Sequence, residues 1–252
     1  AELLRADIES MNLDNFVVSA LFGTAVVGAY NLAYNLADIP AAQVGEQIGD
    51  VLTPSFARLD GEARRAALPR AMALVALVVF PLAFGLGATA PTLVNTLMRE
   101  EWRSVGGMLA VLSALSITRP VGWIIGAYFQ TTHRSRAVMW LSGFRFVAVL
   151  GAVAGLGHLF GPLGACAGVG IGFSLHALGN VAWIMREDGF GAGELLGGVA
   201  RVVIACIPLC AAVLGARAGL AAQGVQVRGV GLAVEIVAGA AGYGVGVLLV
   251  AR

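Results

Sequence analysis

Four ionisable residues stand in parts of the sequence that are otherwise apolar: Asp14, Asp38, Arg119 and Arg145. A charged group at bilayer depth costs at least ~2.5–3.5 kcal/mol on insertion scales, so it faces a cavity or a partner. Guanidinium groups bind phosphate oxygens bidentately. The two arginines therefore predict fixed positive charge for an anionic head group such as a diphosphate, while the acids tune that charge or exchange a proton or cation.

The same four residues have a structural interpretation, which the sequence leaves open. Either acid paired with either arginine would clamp two helices together without binding anything. Arg201 and Glu235 are expected to snorkel or to pair near helix ends.

A polar stripe marks the second long apolar segment. At 100° per residue, five of its polar side chains fall within an arc of about 120°, with two glutamines beside them. The five are Asn31, Asn35, Asp38, Glu46 and Asp50, and the glutamines are Gln43 and Gln47. Such a face packs on polar helices or lines water. We therefore expect Asp14, Asn31, Asn35 and Asp38 to line a cavity, with Arg119 and Arg145 as the head-group contacts.

The composition excludes several other classes of function. Hydrophobic residues make up 58% of the 252 positions and charged residues 12%, about half of the ~25% usual in globular domains. The 16 basic residues are all arginine, so there is no phosphate-loop lysine for a self-contained ATPase. A net charge of +1 gives no reason to expect a nucleic-acid partner. No catalytic triad, His-Glu-x-x-His motif or acidic metal cluster appears, and we expect neither an enzyme nor a metal or cofactor site.

The uncharged runs predict an all-α, polytopic membrane protein with about eight transmembrane helices, each needing roughly 20 apolar residues. A run of 40 residues between Arg145 and Arg186 is too long for one span and divides at the turn-forming residues 157–164. The predicted helices are 2–22, 25–57, 67–98, 102–130, 136–157, 162–184, 194–216 and 229–251.

Orientation follows from the arginines. The connections at 58–70 and 131–136 are rich in Arg, whereas those at 23–24 and 157–164 have none. The Arg-rich loops are therefore expected on the cytoplasmic side, with both chain ends there too. The chain opens on Ala1 and its first span carries several charges, so we expect a piece of a longer protein.

Residues 13–59 resemble the seventh and eighth helices of polysaccharide flippases, members of the multidrug, oligosaccharidyl-lipid and polysaccharide exporter superfamily. The shared features are an Asp before a short apolar helix, a Gly-x-Tyr turn at 28–30 into a long helix, a Leu-Ala-x-x-Pro kink ending at Pro40 and a Pro-x-Phe-x-Arg-Leu exit at 54–59. The pair Arg119-Pro120 is similar to one common in the tenth helix of the family.

The resemblance implies two six-helix lobes around a central cavity that works by alternating access. It implies translocation of an undecaprenyl-diphosphate-linked oligosaccharide across a bacterial inner membrane for polysaccharide synthesis. Residues 1–188 would be the C-terminal lobe and 189–252 two additional helices. The expected partners are the lipid-linked oligosaccharide, membrane lipids and the N-terminal lobe that is missing here.

Two other functions remain open at this point. An ion-coupled multidrug exporter would need acids and aromatic rings for cationic substrates, and the two central arginines argue against it. A non-transporting membrane scaffold is the alternative from a different class.

Overall fold

The chain is an all-helical, multi-pass membrane protein. The computed structural model describes the backbone of residues 13–223 and 229–250, with their side chains except those of 13, 14, 16 and 41–50, and no strand occurs in these ranges. A helix satisfies all its backbone hydrogen bonds internally, which is what an apolar chain needs inside lipid.

The helices follow one another with short connections. They are α1 (Leu13–Phe22), α2 (Thr24–Arg58), α3 (Gly61–Leu97), α4 (Arg103–Leu115), α5 (Arg119–Thr131), a long helix Ser135–Asp188, α8 (Ala192–Ala222) and α9 (Val230–Val250). The long helix is broken at Gly161, whose φ of 69° and ψ of −157° are not helical. It therefore consists of two arms, here called α6 (135–160) and α7 (162–188).

Five of these stretches are long and apolar enough to cross a membrane within the described ranges. They are Gly61–Leu97, Glu100–Thr131, Ser135–Asp188, Ala192–Ala222 and Val230–Val250. The break at Gly161 divides the third of them into the two arms that the turn composition predicts.

Two helices differ from the predicted bounds for identifiable reasons. Helix α3 begins at Gly61 rather than 67, because the carboxylate of Asp60 accepts a hydrogen bond from the Ala63 amide at 3.0 Å and caps the N-terminus. The single span predicted over 102–130 is divided into α4 and α5 by a 3₁₀ turn over Ser116–Thr118. Pro120 has no amide hydrogen to donate to the preceding turn, which explains an interruption there.

Helix α3 is the centre of the arrangement. It contacts its neighbours in the chain, α2, α4 and α5. It also contacts both C-terminal helices, α8 and α9. The C-terminal pair is thereby packed directly on the rest of the bundle.

The buried core has two apolar clusters at different levels of the bundle. One surrounds Phe56, Met72 and Phe129, near the Arg-rich connections. The other surrounds Tyr30 and Leu109, toward the opposite ends of the helices. Between them runs a layer that contains three of the buried polar side chains, Ser113, Ser116 and Arg119.

Glycines let α6 and α7 cross closely. A Cβ atom at Gly168 would lie 2.5 Å from the carbonyl oxygen of Ala152, and one at Gly172 would lie 2.6 Å from the Cα of Val149. Small residues at such crossings allow the backbones to approach, which is how helices associate in lipid. The glycines at 168, 170 and 172 are thus packing residues, as their position inside a span predicts.

We predict that Gly168→Val destabilises the protein by about 1–3 kcal/mol, because the added atoms force the two arms apart. Gly155→Val on α6 is the matched control, since Gly155 is exposed and a Cβ there meets nothing within 4 Å. The measurement is thermal unfolding in detergent. Equal melting temperatures for the two variants would contradict the close crossing.

Candidate functional site

The central feature of the polar layer is an ion pair between two predicted site residues. Arg119, the first residue of α5, donates from Nη1 to Oδ1 of Asp38 on α2. The Arg119 side chain is only 5% exposed, whereas that of Asp38 is 30% exposed. The acid is therefore the member of the pair that solvent or a ligand can reach.

The Arg119 guanidinium lies over the faces of two aromatic rings. Its Cζ atom lies 4.8 Å from the centroid of the Tyr34 ring and 4.1 Å from that of Phe173. Cations over aromatic faces gain on the order of 2 kcal/mol when they are desolvated. The rings thus compensate in part for the water that Arg119 has lost.

Further polar atoms at this level are less completely satisfied. The Nε atom of Arg119 and the Oγ atom of Ser113 are buried and have no hydrogen-bond partner within the described part of the chain. The hydroxyls of Thr118 and Ser174 lie 3.4 Å apart. An unsatisfied buried donor costs about 1–3 kcal/mol, so these groups lower the free energy of unfolding of the bundle. A purely structural role does not explain them.

The 3₁₀ turn before α5 explains how Arg119 reaches this position. The turn over Ser116–Thr118 interrupts the helical ladder immediately before Arg119, and Pro120 occupies the first turn of α5, where its missing amide hydrogen costs nothing. The Arg-Pro pair therefore both starts a helix and places its arginine in the middle of the bundle.

The other predicted lining residues lie on the same stretch of α2. Asn31 is half-buried and Asn35 is exposed, on a bundle whose remaining exposed surface is mainly apolar. Exposed carboxamides do not face lipid without cost. This part of α2 is consequently a surface for water or for another polar partner. The side chains of Asp14, Gln43, Glu46, Gln47 and Asp50 lie outside the described residues.

Arg145 lies elsewhere, at a cavity of about 280 Å³ between α5, α6, α7 and the end of α2. His176 and Asn180 line it from α7. The Asn180 amide donates to the His176 carbonyl at 2.9 Å and lies 3.0 Å from its Nε2. His176 is thus a half-buried residue with a hydrogen-bonded neighbour one turn along the same helix. The structure thus joins Arg119 to Asp38 and places Arg145 in a different group.

A second buried ion pair joins the C-terminal helices to α3. Glu235 on α9, 1% exposed, accepts from Arg217 on α8 at 2.9 Å and from the Thr92 hydroxyl of α3 at 2.6 Å. Arg217 also donates to the Ala88 carbonyl. The expectation that Glu235 pairs near a helix end is confirmed, and Arg201 is exposed on α8.

The Arg-rich connections are tied together at one end of the bundle. Arg64 donates to the carbonyl oxygens of Phe56, Leu59 and Thr131, at 2.8, 2.8 and 3.2 Å. Arg134 pairs with Asp188, and this hydrogen bond raises the pKa of the Arg134 guanidinium against the opposing effect of burial. These arginines therefore fix the loops to one another and to the helix ends.

Sequence reasoning missed the rings around Arg119. Tyr34 precedes Asp38 by one helical turn, so the i, i+4 spacing places both on one face and offered a signal. Phe173 comes from a distant helix and had no such signal. Arg217 as the partner of Glu235 was missed for the same reason.

We predict that Asp38→Asn lowers the apparent free energy of unfolding by about 3 kcal/mol, since it leaves the Arg119 charge buried and unpaired. The double variant Asp38→Asn/Arg119→Gln should cost less than the sum of its single changes, because the two residues are coupled. The measurement is a double-mutant cycle of unfolding in detergent.

The matched control for this cycle is the exposed pair Arg103–Glu100, whose side chains are 66% and 84% exposed. Arg103→Gln is expected to change stability by less than ~1 kcal/mol. Strict additivity of the two central substitutions would show that the buried pair makes no energetic contribution.

The sequence is similar to proteins of polysaccharide biosynthesis. The family described as polysaccharide biosynthesis protein matches residues 6–106. The lipopolysaccharide biosynthesis protein WzxC of Escherichia coli (strain K12) is 29% identical over 159 residues, which are 62% of this chain and 32% of that relative.

Two further relatives have related names. The succinoglycan biosynthesis transport protein ExoT of Rhizobium meliloti (strain 1021) is 30% identical over 141 residues, 55% of this chain and 28% of the relative. The teichuronic acid biosynthesis protein TuaB of Bacillus subtilis (strain 168) is 28% identical over 110 residues, 43% of this chain and 23% of the relative. The matched part thus spans about a third or less of these proteins. The matches confirm the resemblance seen in residues 13–59: the chain is similar to proteins named for polysaccharide biosynthesis and transport.

Proposed function

We propose that this chain forms part of a flippase that moves an undecaprenyl-diphosphate-linked oligosaccharide from the inner to the outer leaflet for polysaccharide synthesis. In this proposal residues 1–188 form one lobe of a two-lobed transporter and residues 189–252 add two helices. The Arg-rich loops and both chain ends lie on the cytoplasmic side of a bacterial inner membrane.

The observation that carries the proposal is the Arg119–Asp38 pair with the exposed polar face of α2 beside it. A pair that served only stability would be enclosed on all sides, but Asp38 is 30% exposed and Asn35 stands open on the same helix. A second lobe facing α2 would enclose this surface and form an aqueous cavity. The related proteins named for polysaccharide biosynthesis and transport support the polysaccharide substrate.

The geometry suggests how a diphosphate would be held. Arg119 has five N–H donors in a fixed fork, of which Nη1 donates to Asp38 and Nε has no partner. A phosphate oxygen that approaches from the α2 face would compete with the carboxylate of Asp38 for the same guanidinium. Head-group binding would then weaken the link between α2 and α5, and this weakening would favour a change between inward- and outward-facing states.

Arg145 is the second proposed head-group contact, reached from the cavity it lines. Asp14, Asn31 and Asn35 are proposed to line the route of the sugars. Hydroxyl groups of a glycan exchange readily with water on carboxamides, so such a lining lets the sugars pass without binding them tightly.

We predict that Arg119→Ala with Arg145→Ala, in the intact transporter, lowers polysaccharide export roughly tenfold or more, since a hydrogen bond to a charged group is worth about 1.5–3 kcal/mol. Export and the accumulation of lipid-linked oligosaccharide in the membrane are measured together, with membrane levels of the protein checked by immunoblot. Arg201→Ala, an exposed arginine on α8, is the control and should leave export unchanged.

The other outcomes separate the alternatives. Normal export by the double variant at normal protein levels would contradict the head-group contacts. Loss of resistance to cationic drugs with normal export would favour a multidrug exporter. Loss of export without accumulation of the lipid-linked intermediate would favour a scaffold role.

A further inference from the structure

The cavity beside Arg145 differs in its lining from the ion pair at Arg119. Three helix faces converge on it: Trp123, Gly126 and Gln130 on α5, Ser142 and Arg145 on α6, and His176 and Asn180 on α7. On each helix these residues recur at three- or four-residue spacing, so each presents one continuous face. The polar lining is therefore formed by the faces of three helices and does not depend on the position of any one side chain.

The cavity leads inward from the helix ends that carry the Arg-rich loops. Gln130 is one residue from the end of α5, whereas His176 is 12 residues before the end of α7, which corresponds to a depth of roughly 18 Å. Gln130 is exposed and Asn180 is buried. Gln130 thus stands at the mouth, with His176 at the inner end and the buried Asn180 between them.

Two glycines on α5 keep this space open. A Cβ atom at Gly122 would lie 3.3 Å from the Cε1 and Nδ1 atoms of His176, and one at Gly126 would meet nothing within 4 Å. Glycine costs a helix interior about 1 kcal/mol relative to alanine. At Gly126 no packing contact accounts for that cost, whereas an open volume in the cavity does.

The histidine is oriented by its neighbour. Because the Nδ2 of Asn180 can only donate, the Nε2 of His176 accepts, and the proton of the neutral ring lies on Nδ1. Nδ1 faces Gly122, at the edge of the cavity. The imidazole is thus presented as a hydrogen-bond donor in a fixed direction.

The chemistry of the lining favours one class of ligand. Carboxamide and hydroxyl groups of Gln130, Asn180 and Ser142 both donate and accept, which suits sugar hydroxyls that do the same. A phosphate would use only the donors of these groups, and a lipid chain would leave their donors and acceptors all unpaired. Ala127, Phe129, Val138 and Leu141 add apolar surface beside the polar groups. Trp123 adds a flat apolar surface of the kind that packs on the C–H face of a pyranose ring. The volume of about 280 Å³ is just below the roughly 300–1,000 Å³ usual for small-molecule sites, which suits a single ring and not a larger ligand.

We propose that the cavity between α5, α6 and α7 binds one neutral sugar ring of the transported oligosaccharide. The assignment rests on the proposed flippase function for the origin of the sugar. Binding of the sugar does not need an unpaired guanidinium at Arg145, because the ligand is bound through its hydroxyl groups. The site would hold the glycan on the side of the membrane where the Arg-rich loops lie.

The experiment measures binding of simple sugars to the full chain purified in detergent. Methyl glycosides of glucose, galactose, rhamnose and N-acetylglucosamine are the probes, with inorganic phosphate and sorbitol as comparisons. Saturation-transfer NMR detects the bound sugar. Tryptophan fluorescence, compared between the parent chain and Trp123→Phe, separates Trp123 from the other three tryptophans. At least one glycoside is expected to bind saturably, and sorbitol is not. Phosphate is expected to bind at Arg145 without replacing the glycoside.

Gly126→Leu should abolish the saturable signal, because the leucine side chain occupies the open volume. Gly143→Leu on α6 is the matched control, since Gly143 is exposed and a Cβ there also meets nothing within 4 Å. If Gly126→Leu fails to fold, Gln130→Leu at the exposed mouth tests the same site and should weaken binding at least severalfold. Size-exclusion profiles and melting temperatures verify that each variant is folded.

Three results would overturn the assignment: no glycoside binds saturably, phosphate alone binds, or folded Gly126→Leu binds as the parent chain does. These results are independent of the export test. Export that depends on Arg119 and Arg145 without sugar binding refutes only the sugar site. Sugar binding with export unaffected by the arginine substitutions refutes only the proposed head-group contacts.

Discussion

The burial of a charge pair in the middle of an apolar bundle is the constraint on which much of this structure depends. Arg119 and Asp38 join α5 to α2 where the two apolar core clusters are separated, and nearby side chains reduce the cost of burial. The rings of Tyr34 and Phe173 cover the guanidinium, and the break before Pro120 brings it inward. The pair also introduces a weak level between two well-packed ends, which is the place where a bundle can rearrange without unfolding.

Two polar regions inside the bundle have different characters. At Arg119 the polar groups are paired, flanked by rings and partly unsatisfied, which suits a site that exchanges partners. At the cavity beside Arg145 they surround an open volume and include groups of both hydrogen-bonding senses. A substrate with a charged end and a neutral glycan presents the same two chemistries, so the division of the polar groups fits the composite molecule proposed above.

Much of this architecture can be predicted from the sequence because lipid imposes simple rules. Apolar runs and turn residues predict the helices, and the end of α2 at Arg58 and the break near Gly161 agree with them. The Asp60 cap, which lengthens α3, depends on a local hydrogen bond and could have been recognised. Side-chain partners were harder to predict. Their isolation in apolar segments indicated that Asp38 and Arg119 each needed a charged or polar partner. Periodicity on one helix cannot identify a contact such as Phe173 or Arg217 on another helix. The cavity was missed because an empty volume depends on three helices at once.

The links at Gly23 and Gly161 are single residues with positive φ, and both lie on the side opposite the Arg-rich loops. In the orientation proposed above, that side would face away from the cytoplasm, and proteases there act on protruding segments. A link of one glycine presents no extended backbone that a protease could bind. At these two places the chain therefore turns with almost no cleavable surface, and an epitope tag for topology mapping would be tolerated better in the connections at the arginine side.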